Sequence, residues 1–323
     1  MTAAVAVEAR PSRGRRVARR AFGLVVLAAA VHFLLPQVAR AGTTVGAAGP
    51  FQWPWLPAIA LASGATYVMA ALSLMAAAGG TLALGRTVAA QLAAAFMNRL
   101  VPAGVGAMST NVRYLERAGR STNGAVVAVG LDSVAGFVVH VAFLVATVVL
   151  VGTSHQQFHV RGPDLPDNWP LLVLVAALLS ALGIAIGMVR LRGRGRTAAR
   201  RAVGQLAALT HDPGRAIRLL AASAGVTTAY ALALCISVQA TGGGPPIPSV
   251  LAVYVGGSAL AAAAPTPGGL GAVEASLIAG LTAMGQPAAE AVTAVLVFRL
   301  FTYWLPVLPG ALSFWALRRA GTL

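Results

Sequence analysis

The chain of 323 residues is 58% hydrophobic and only 10% charged, whereas a soluble globular chain has roughly 25% charged residues. These values exclude a soluble domain and indicate a membrane protein. All 24 basic residues are arginines, and with the eight acidic residues they give a net charge of +16. Because the arginines cluster in short segments between apolar runs, they indicate the positive-inside pattern and no nucleic-acid partner.

Apolar runs near the ~20 residues that a spanning helix needs predict six full membrane spans. In chain order the spans cover residues 21–39, 54–78, 123–151, 170–190, 217–240 and 287–314. Residues 1–20 would form a cytoplasmic arginine-rich tail, and residues 21–323 a single all-α membrane domain. A secretory signal peptide is the alternative for the first run, since Ala39-Arg40-Ala41 resembles a cleavage site.

Two further apolar stretches, 88–118 and 248–283, are each interrupted by Pro and Gly. The interrupting residues are Pro102, Gly104 and Gly106 in the first stretch, and Pro265, Pro267, Gly268, Gly269 and Gly271 in the second. At 1.5 Å per residue, no half of either stretch covers a ~30 Å hydrocarbon core. We therefore predict two re-entrant helix hairpins, each returning to the face from which it enters.

The arginine distribution predicts the orientation. With the N-terminus inside, 20 of the 24 arginines are cytoplasmic, only Arg40 and Arg161 lie outside, and Arg99 and Arg299 lie within the membrane. Both termini of this inner-membrane protein are thus expected in the cytoplasm.

The two interrupted stretches resemble each other. Pro102-x-Gly104-x-Gly106 matches Pro267-x-Gly269-x-Gly271 at a constant offset of 165. Two predicted spans precede each hairpin and one follows it, in opposite orientation. This arrangement predicts an inverted repeat with halves 21–151 and 170–314, as in transporters that bind substrate where broken helices meet near the midplane.

Three segments resemble a known family. Asn98-Arg-Leu-Val-Pro-Ala-Gly, Asn111-Val-Arg-Tyr-Leu and Pro267-Gly-Gly-Leu-Gly-Ala-Val-Glu-Ala are similar to the flippase-like transmembrane region of lysylphosphatidylglycerol synthases and its stand-alone relatives. The resemblance extends over about residues 20–315 and implies lipid translocation or lipid-carrier handling. The synthases carry a soluble aminoacyl-transfer domain after this region. The sequence stops at Leu323, so the resemblance does not imply that activity.

Two charges within predicted spans are the first candidate site residues. An arginine at the bilayer centre normally faces a partner or a water-filled cavity. Asp132 is the best partner for Arg299, since the rise per residue places both at a similar depth in a ~30 Å core. Either they form a structural ion pair between the halves, or Arg299 binds a lipid phosphate.

The hairpins carry three more candidates. Arg99 lies near the tip of the first hairpin, where the following helix N-terminus favours an anion. It binds a headgroup phosphate, or alternatively it snorkels or pairs with Glu274. Glu274 begins the second half-helix of hairpin two, where it either caps the helix or takes part in a substrate site. Arg113 lies at the cytoplasmic end of hairpin one and would face lipid phosphates.

These patterns favour a translocase for lipids or lipid-linked precursors, with anionic or phosphate-bearing membrane lipids as partners. One alternative is a transferase acting on a polyprenyl-phosphate or phospholipid substrate, although the eight acidic residues are scattered. Another is a non-catalytic partner of a separate lipid synthase. No catalytic residue, cofactor or metal site is predicted, since His155 and His159 have no evident third ligand.

Overall fold

The structure, a computed structural model, describes residues 51–101, 104–153, 212–262 and 269–323. Every regular element within these ranges is helical, as the sequence predicts. A short 3-10 turn, Trp53–Trp55, precedes the first helix. The helices in chain order are α1 (Leu56–Ala78), α2 (Leu84–Leu100), α3 (Val105–Arg117), α4 (Thr122–Thr153), α5 (Pro213–Ala240), α6 (Ile247–Ala262), α7 (Ala272–Ala283), α8 (Ala288–Arg299) and α9 (Val307–Arg319).

Four of the six predicted spans correspond to helices that are long and apolar enough to cross a membrane. They cover Trp53–Ala78, Thr122–Thr147, Pro213–Ala240 and Ala288–Arg319. The predicted spans 21–39 and 170–190 and the tail 1–20 lie outside the described residues.

Helices α1 and α5 pack against each other along their whole length and run antiparallel. Near one end the backbone N–H of Gln52 donates to the carbonyl of Ala240, at 2.8 Å. Farther along, the hydroxyls of Ser73 and Ser223 lie 3.0 Å apart. Residue numbers therefore rise along α1 as they fall along α5. These two helices form the centre against which both interrupted stretches are placed.

The first interrupted stretch folds as an antiparallel helix pair, α2 and α3. The hydroxyls of Thr87 and Tyr114 lie 2.9 Å apart at the open end of the pair. At the other end Gly106 meets α2 so closely that an added Cβ would lie 2.2 Å from the carbonyl oxygen of Met97. The turn enters α3 through Gly104, whose φ of +74° suits glycine.

The close contact at Gly106 makes a testable prediction. Gly106→Ala is expected to destabilise the protein strongly, because the new methyl group meets backbone atoms of α2 that cannot move alone. Gly136→Ala on α4 is the matched control, since no atom of the part of the chain that the structure describes lies within 4 Å of a Cβ there. It should be neutral or stabilising by about 0.5–1 kcal/mol. Thermal unfolding of the detergent-purified variants measures both, and an unchanged melting temperature for Gly106→Ala would contradict this packing.

The second interrupted stretch contains another antiparallel pair, α6 and α7. The Ser276 hydroxyl donates to the carbonyl of Gly257, at 2.9 Å, and Gly280 packs on Val253, where a Cβ would lie 2.7 Å from a methyl group. The paired helices of the two stretches have 17, 13, 16 and 12 residues. Their lengths of ~18–26 Å are shorter than a ~30 Å hydrocarbon core.

The last span changes partners halfway along. Its first part, α8, packs against α5 and α7, whereas its second part, α9, packs against α2. Gly310 of α9 allows the close approach, since a Cβ there would lie 2.7 Å from the carbonyl oxygen of Leu92. Between the two parts, Leu300–Trp304 forms a π-helical segment. The site described next lies around this segment.

Candidate functional site

Glu274 and Arg299 form a buried ion pair. Glu274 is 8% and Arg299 6% exposed, and the Arg299 Nε donates to the Glu274 Oε1 at 2.6 Å. The other carboxylate oxygen accepts the backbone N–H of Gly271 at 2.8 Å. Glu274 therefore caps the start of α7 and also joins hairpin two to the last span.

This geometry corrects the predicted pairing of Arg299 with Asp132. The Asp132 carboxylate instead accepts a hydrogen bond from Ser73, and Arg299 is paired with Glu274. The rise per residue gives a side chain's depth in the membrane, but the direction in which it points depends on helix packing. The sequence thus revealed that Asp132 and Arg299 lie within spans, but the partner predicted for Arg299 was wrong.

Arg99 lies beside the same ion pair without sharing the carboxylate. Its Nη2 donates to the backbone carbonyl of Thr302 at 3.3 Å, so the predicted alternative of an Arg99–Glu274 pair is also wrong. The guanidinium carbons of Arg99 and Arg299 lie 4.7 Å and 4.3 Å from the ring centroid of Tyr303. Both distances are within the range of cation–π attraction.

The π-helical segment and the proline after it leave two backbone carbonyl groups free to accept hydrogen bonds from side chains. The N–H of Leu305 donates to the carbonyl of Leu300, five residues back, which leaves the Phe301 carbonyl without its α-helical donor. Pro306 has no N–H, so the Thr302 carbonyl also lacks one. The Ser63 hydroxyl on α1 donates to the Phe301 carbonyl at 2.7 Å, and the Arg99 guanidinium donates to the Thr302 carbonyl.

A cavity of about 270 Å³ opens at this point. Its charged and polar wall includes Asn98, Arg99, Arg299 and Thr302. Aromatic side chains complete it: Tyr254 stacks on Tyr230 at 6.1 Å and meets Phe298 edge-on at 6.2 Å, and Tyr303 lies below the two guanidinium groups. The cavity thus combines apolar rings with two cations.

Several buried donors at the cavity have no hydrogen-bond partner within the described part of the chain. They are Nε and Nη1 of Arg99 and Nη2 of Arg299. The hydroxyl of Tyr67 comes near Arg99 without good hydrogen-bond geometry. A buried donor without an acceptor costs about 1–3 kcal/mol, and more when it is charged. These groups are therefore suited to a ligand that brings acceptor oxygens.

The charges around the cavity do not cancel. Arg299 is neutralised by Glu274, whereas Arg99 has no carboxylate partner in the described ranges. The remaining charge is therefore one positive unit in a partly buried position. An anion carrying about one negative charge fits this cavity electrostatically.

Arg113 lies apart from this group. It is exposed on α3 and does not line the cavity. The interrupting glycines take the conformations that breaks require, with φ of +69° at Gly269 and +82° at Gly271. Pro102, Pro265, Pro267 and Gly268 lie outside the described residues.

The sequence interpretation missed Thr302 and Tyr303. One signal was present, namely Pro306 inside a predicted span, because a proline there removes a backbone donor and exposes a carbonyl one turn earlier. The π-helical segment that turns Tyr303 toward both arginines has no comparable local signature.

The long apolar helices indicate a multi-pass membrane protein, and the cavity lined by Arg99 and Arg299 is its candidate functional centre. Residues 17–310 match the family described as the lysylphosphatidylglycerol synthase TM region. The chain belongs to this family, as the resemblance in its sequence implied. A search of curated proteins gives no significant match.

Proposed function

We propose that this protein translocates lipids with a phosphate-bearing headgroup across the inner membrane, and that the cavity at Arg99 and Arg299 binds the headgroup phosphate. The observation that carries the proposal is the positive charge of Arg99, which has no carboxylate partner in the described ranges and lies beside buried donors that find no acceptor there. Membership of a family named for a lipid synthase's membrane region supports a lipid as the ligand.

A phosphodiester suits the cavity in charge and in hydrogen bonding. Its single negative charge would balance Arg99, and its oxygens would accept from the free N–H groups of Arg99 and Arg299. Such charge-assisted hydrogen bonds are roughly twice as strong as neutral ones. The aromatic wall would meet the uncharged part of the headgroup.

The packing supports the inverted repeat that the proposal requires. Its corresponding helices α1 and α5 run antiparallel. Each hairpin contacts the last span of the other half, since α2 packs on α9 and α6 packs on α4. One such contact joins the His140 Nε2 to the carbonyl of Val255, at 3.1 Å. Two halves related by a two-fold axis in the membrane plane would exchange partners in this way.

Re-entrance of hairpin one is part of the proposal and predicts a labelling pattern. In a Cys235→Ser background, Arg86→Cys and Ser121→Cys are expected to react with a membrane-impermeant maleimide from the cytoplasmic side. Val101→Cys, at the tip, should not react from the periplasmic side, because a hairpin of these short helices would not reach that surface. Periplasmic labelling of Val101→Cys would show two full crossings and contradict re-entrance.

A reconstitution assay tests the function itself. Proteoliposomes would contain a trace of phosphatidylglycerol with a nitrobenzoxadiazole group on an acyl chain, and external dithionite would bleach the exposed probe. We expect the protein to make the inner-leaflet probe accessible. Acyl-labelled glucosylceramide, which has no phosphate, is the matched control and should stay protected. Equal bleaching of both probes, or none above protein-free liposomes, would contradict the proposal.

A further inference from the structure

A second polar cluster lies away from the cationic cavity, where α1, α4 and α5 meet. Ser73 on α1 donates to the carboxylate of Asp132 on α4, and its hydroxyl lies 3.0 Å from that of Ser223 on α5. Both serines are buried, at 3% and 4% exposure. One carboxylate and two hydroxyls therefore form an oxygen cluster among membrane-length helices.

The helices packed against α4 provide no positive partner for Asp132. Within their bounds α1 and α6 carry no charged residue. On α5 the Arg215 guanidinium is directed to backbone groups, since its Nε and Nη2 donate to the carbonyls of Ala76 and Ala77, each at 2.7 Å.

The other charged residues on the neighbouring helices are no closer partners. Arg218 on α5 and the α3 residues Arg113 and Arg117 are exposed, and Glu116 adds a negative charge. His140, farther along α4, contacts the Val255 carbonyl. A membrane carboxylate without a cation partner is expensive and therefore indicates a function.

The cluster is suited to a proton. Hard metal ions such as Ca²⁺ and Mg²⁺ take six or more oxygen ligands, more than a carboxylate and two hydroxyls supply. A hydroxyl both donates and accepts. Ser73 can therefore donate to the charged carboxylate or accept from the protonated one, with Ser223 completing its hydrogen bonding in either case. The cluster can satisfy Asp132 in both protonation states.

A cavity of about 660 Å³ lies beside the cluster. Its wall includes Met69 and Ala76, which lie about one helical turn on either side of Ser73, and Ala222, the neighbour of Ser223. The exposed charges of Asp212 and Arg218 also line it. Asp132, Ser73 and Ser223 are not part of this wall, but the cavity comes within about one helical turn of Ser73 and extends to the polar end of α5.

We propose that Asp132, with Ser73 and Ser223, forms a proton-binding site that exchanges protons with solvent through this cavity. We further propose that proton binding at this site couples the proton gradient to lipid movement. The coupling, but not the proton binding, rests on the proposed translocase function. Helix α1 connects the two sites, because its Ser63 binds the Phe301 carbonyl of the π-helical segment. Ser63 and Ser73 are about 15 Å apart along the helix.

Proton binding is tested directly by infrared difference spectroscopy of the full-length protein in lipid during a pH titration. Part of the protonated-carboxyl band that appears with falling pH is expected to come from Asp132, and this part should be missing in Asp132→Asn. Asp212→Asn is the matched control, because Asp212 is exposed and asparagine preserves its helix-capping role. Ser73→Ala, which keeps the carboxyl, should shift the titration of the band. An unchanged band in folded Asp132→Asn would overturn the site.

The coupling is tested with the same acyl-labelled phosphatidylglycerol under an imposed gradient of one pH unit. One coupled proton can shift the distribution of the probe between leaflets by up to about tenfold. We expect the wild type to respond and Asp132→Asn to be insensitive to the gradient. Wild-type translocation that ignores the gradient would overturn the coupling and leave the translocase function standing. If the wild type moves no probe, the function and the coupling both fail, and the infrared titration alone decides the proton site.

Discussion

Glu274→Gln is expected to cost on the order of 3–5 kcal/mol of folding stability, because it leaves the Arg299 guanidinium buried without a compensating charge. The loss should appear as a lower melting temperature in detergent and as a smaller yield of monodisperse protein. Glu116→Gln is the matched control, since Glu116 forms no ion pair in the described part of the chain. It should behave like the wild type.

Double substitutions test whether Glu274 or Asp132 is the ion-pair partner of Arg299. Glu274→Gln with Arg299→Gln removes both charges and should recover much of the lost stability, because no uncompensated ion remains. Asp132→Asn with Arg299→Gln should bring no recovery, since the carboxylate of Asp132 is bonded to Ser73 instead. Recovery by the second pair and not the first would contradict the ion pair seen in the structure.

Arg99→Gln is expected to abolish most lipid translocation while leaving the protein folded. The substitution removes a cation that has no carboxylate partner in the described ranges, so it leaves no opposite charge uncompensated. A hydrogen bond to a charged group contributes about 1.5–3 kcal/mol. Its loss should reduce translocation of labelled phosphatidylglycerol by about tenfold to about 150-fold at subsaturating lipid.

Arg113→Gln is the matched control for this experiment. It makes the same change of charge at an exposed position on α3, away from the cavity, and should keep near-normal translocation. Arg99→Lys separates charge from shape, because lysine keeps the charge but loses the planar guanidinium fork. A fully active Arg99→Gln protein with a normal melting temperature would contradict a phosphate role for Arg99.

The sequence predicted the features that depend on local chemistry. Span length follows from the number of consecutive apolar residues, and the breaks near Gly104 and Gly271 follow from residues that tolerate positive φ. The presence of charges at Arg99 and Arg299 was equally visible. Each of these inferences needs only neighbouring residues, so no knowledge of helix packing was required.

Partners across the fold could not be predicted in the same way. Asp132 and Arg299 were paired by depth alone, whereas contact also requires their helices to present matching faces. Glu274 reaches Arg299 because α7 packs against α8. Tyr303 meets both arginines because the π-helical segment changes the direction in which that face points. The pairing of side chains is therefore a property of helix rotation, which a single sequence encodes only weakly.

The π-helical segment Leu300–Trp304 also has a consequence for insertions and deletions. An α-helix turns by about 100° per residue, and a π turn holds an extra residue. An α turn formed by the same five residues would rotate Gly310 about 100° away from α2. Removing one residue from this segment is therefore expected to restore a continuous α-helix in which Gly310 still faces α2 and the ion pair of Arg299 with Glu274 stays in place upstream. The extra residue thus acts as a phase shift between two halves of one helix. It lets α8 pack against α7 of hairpin two while α9 packs against α2 of hairpin one.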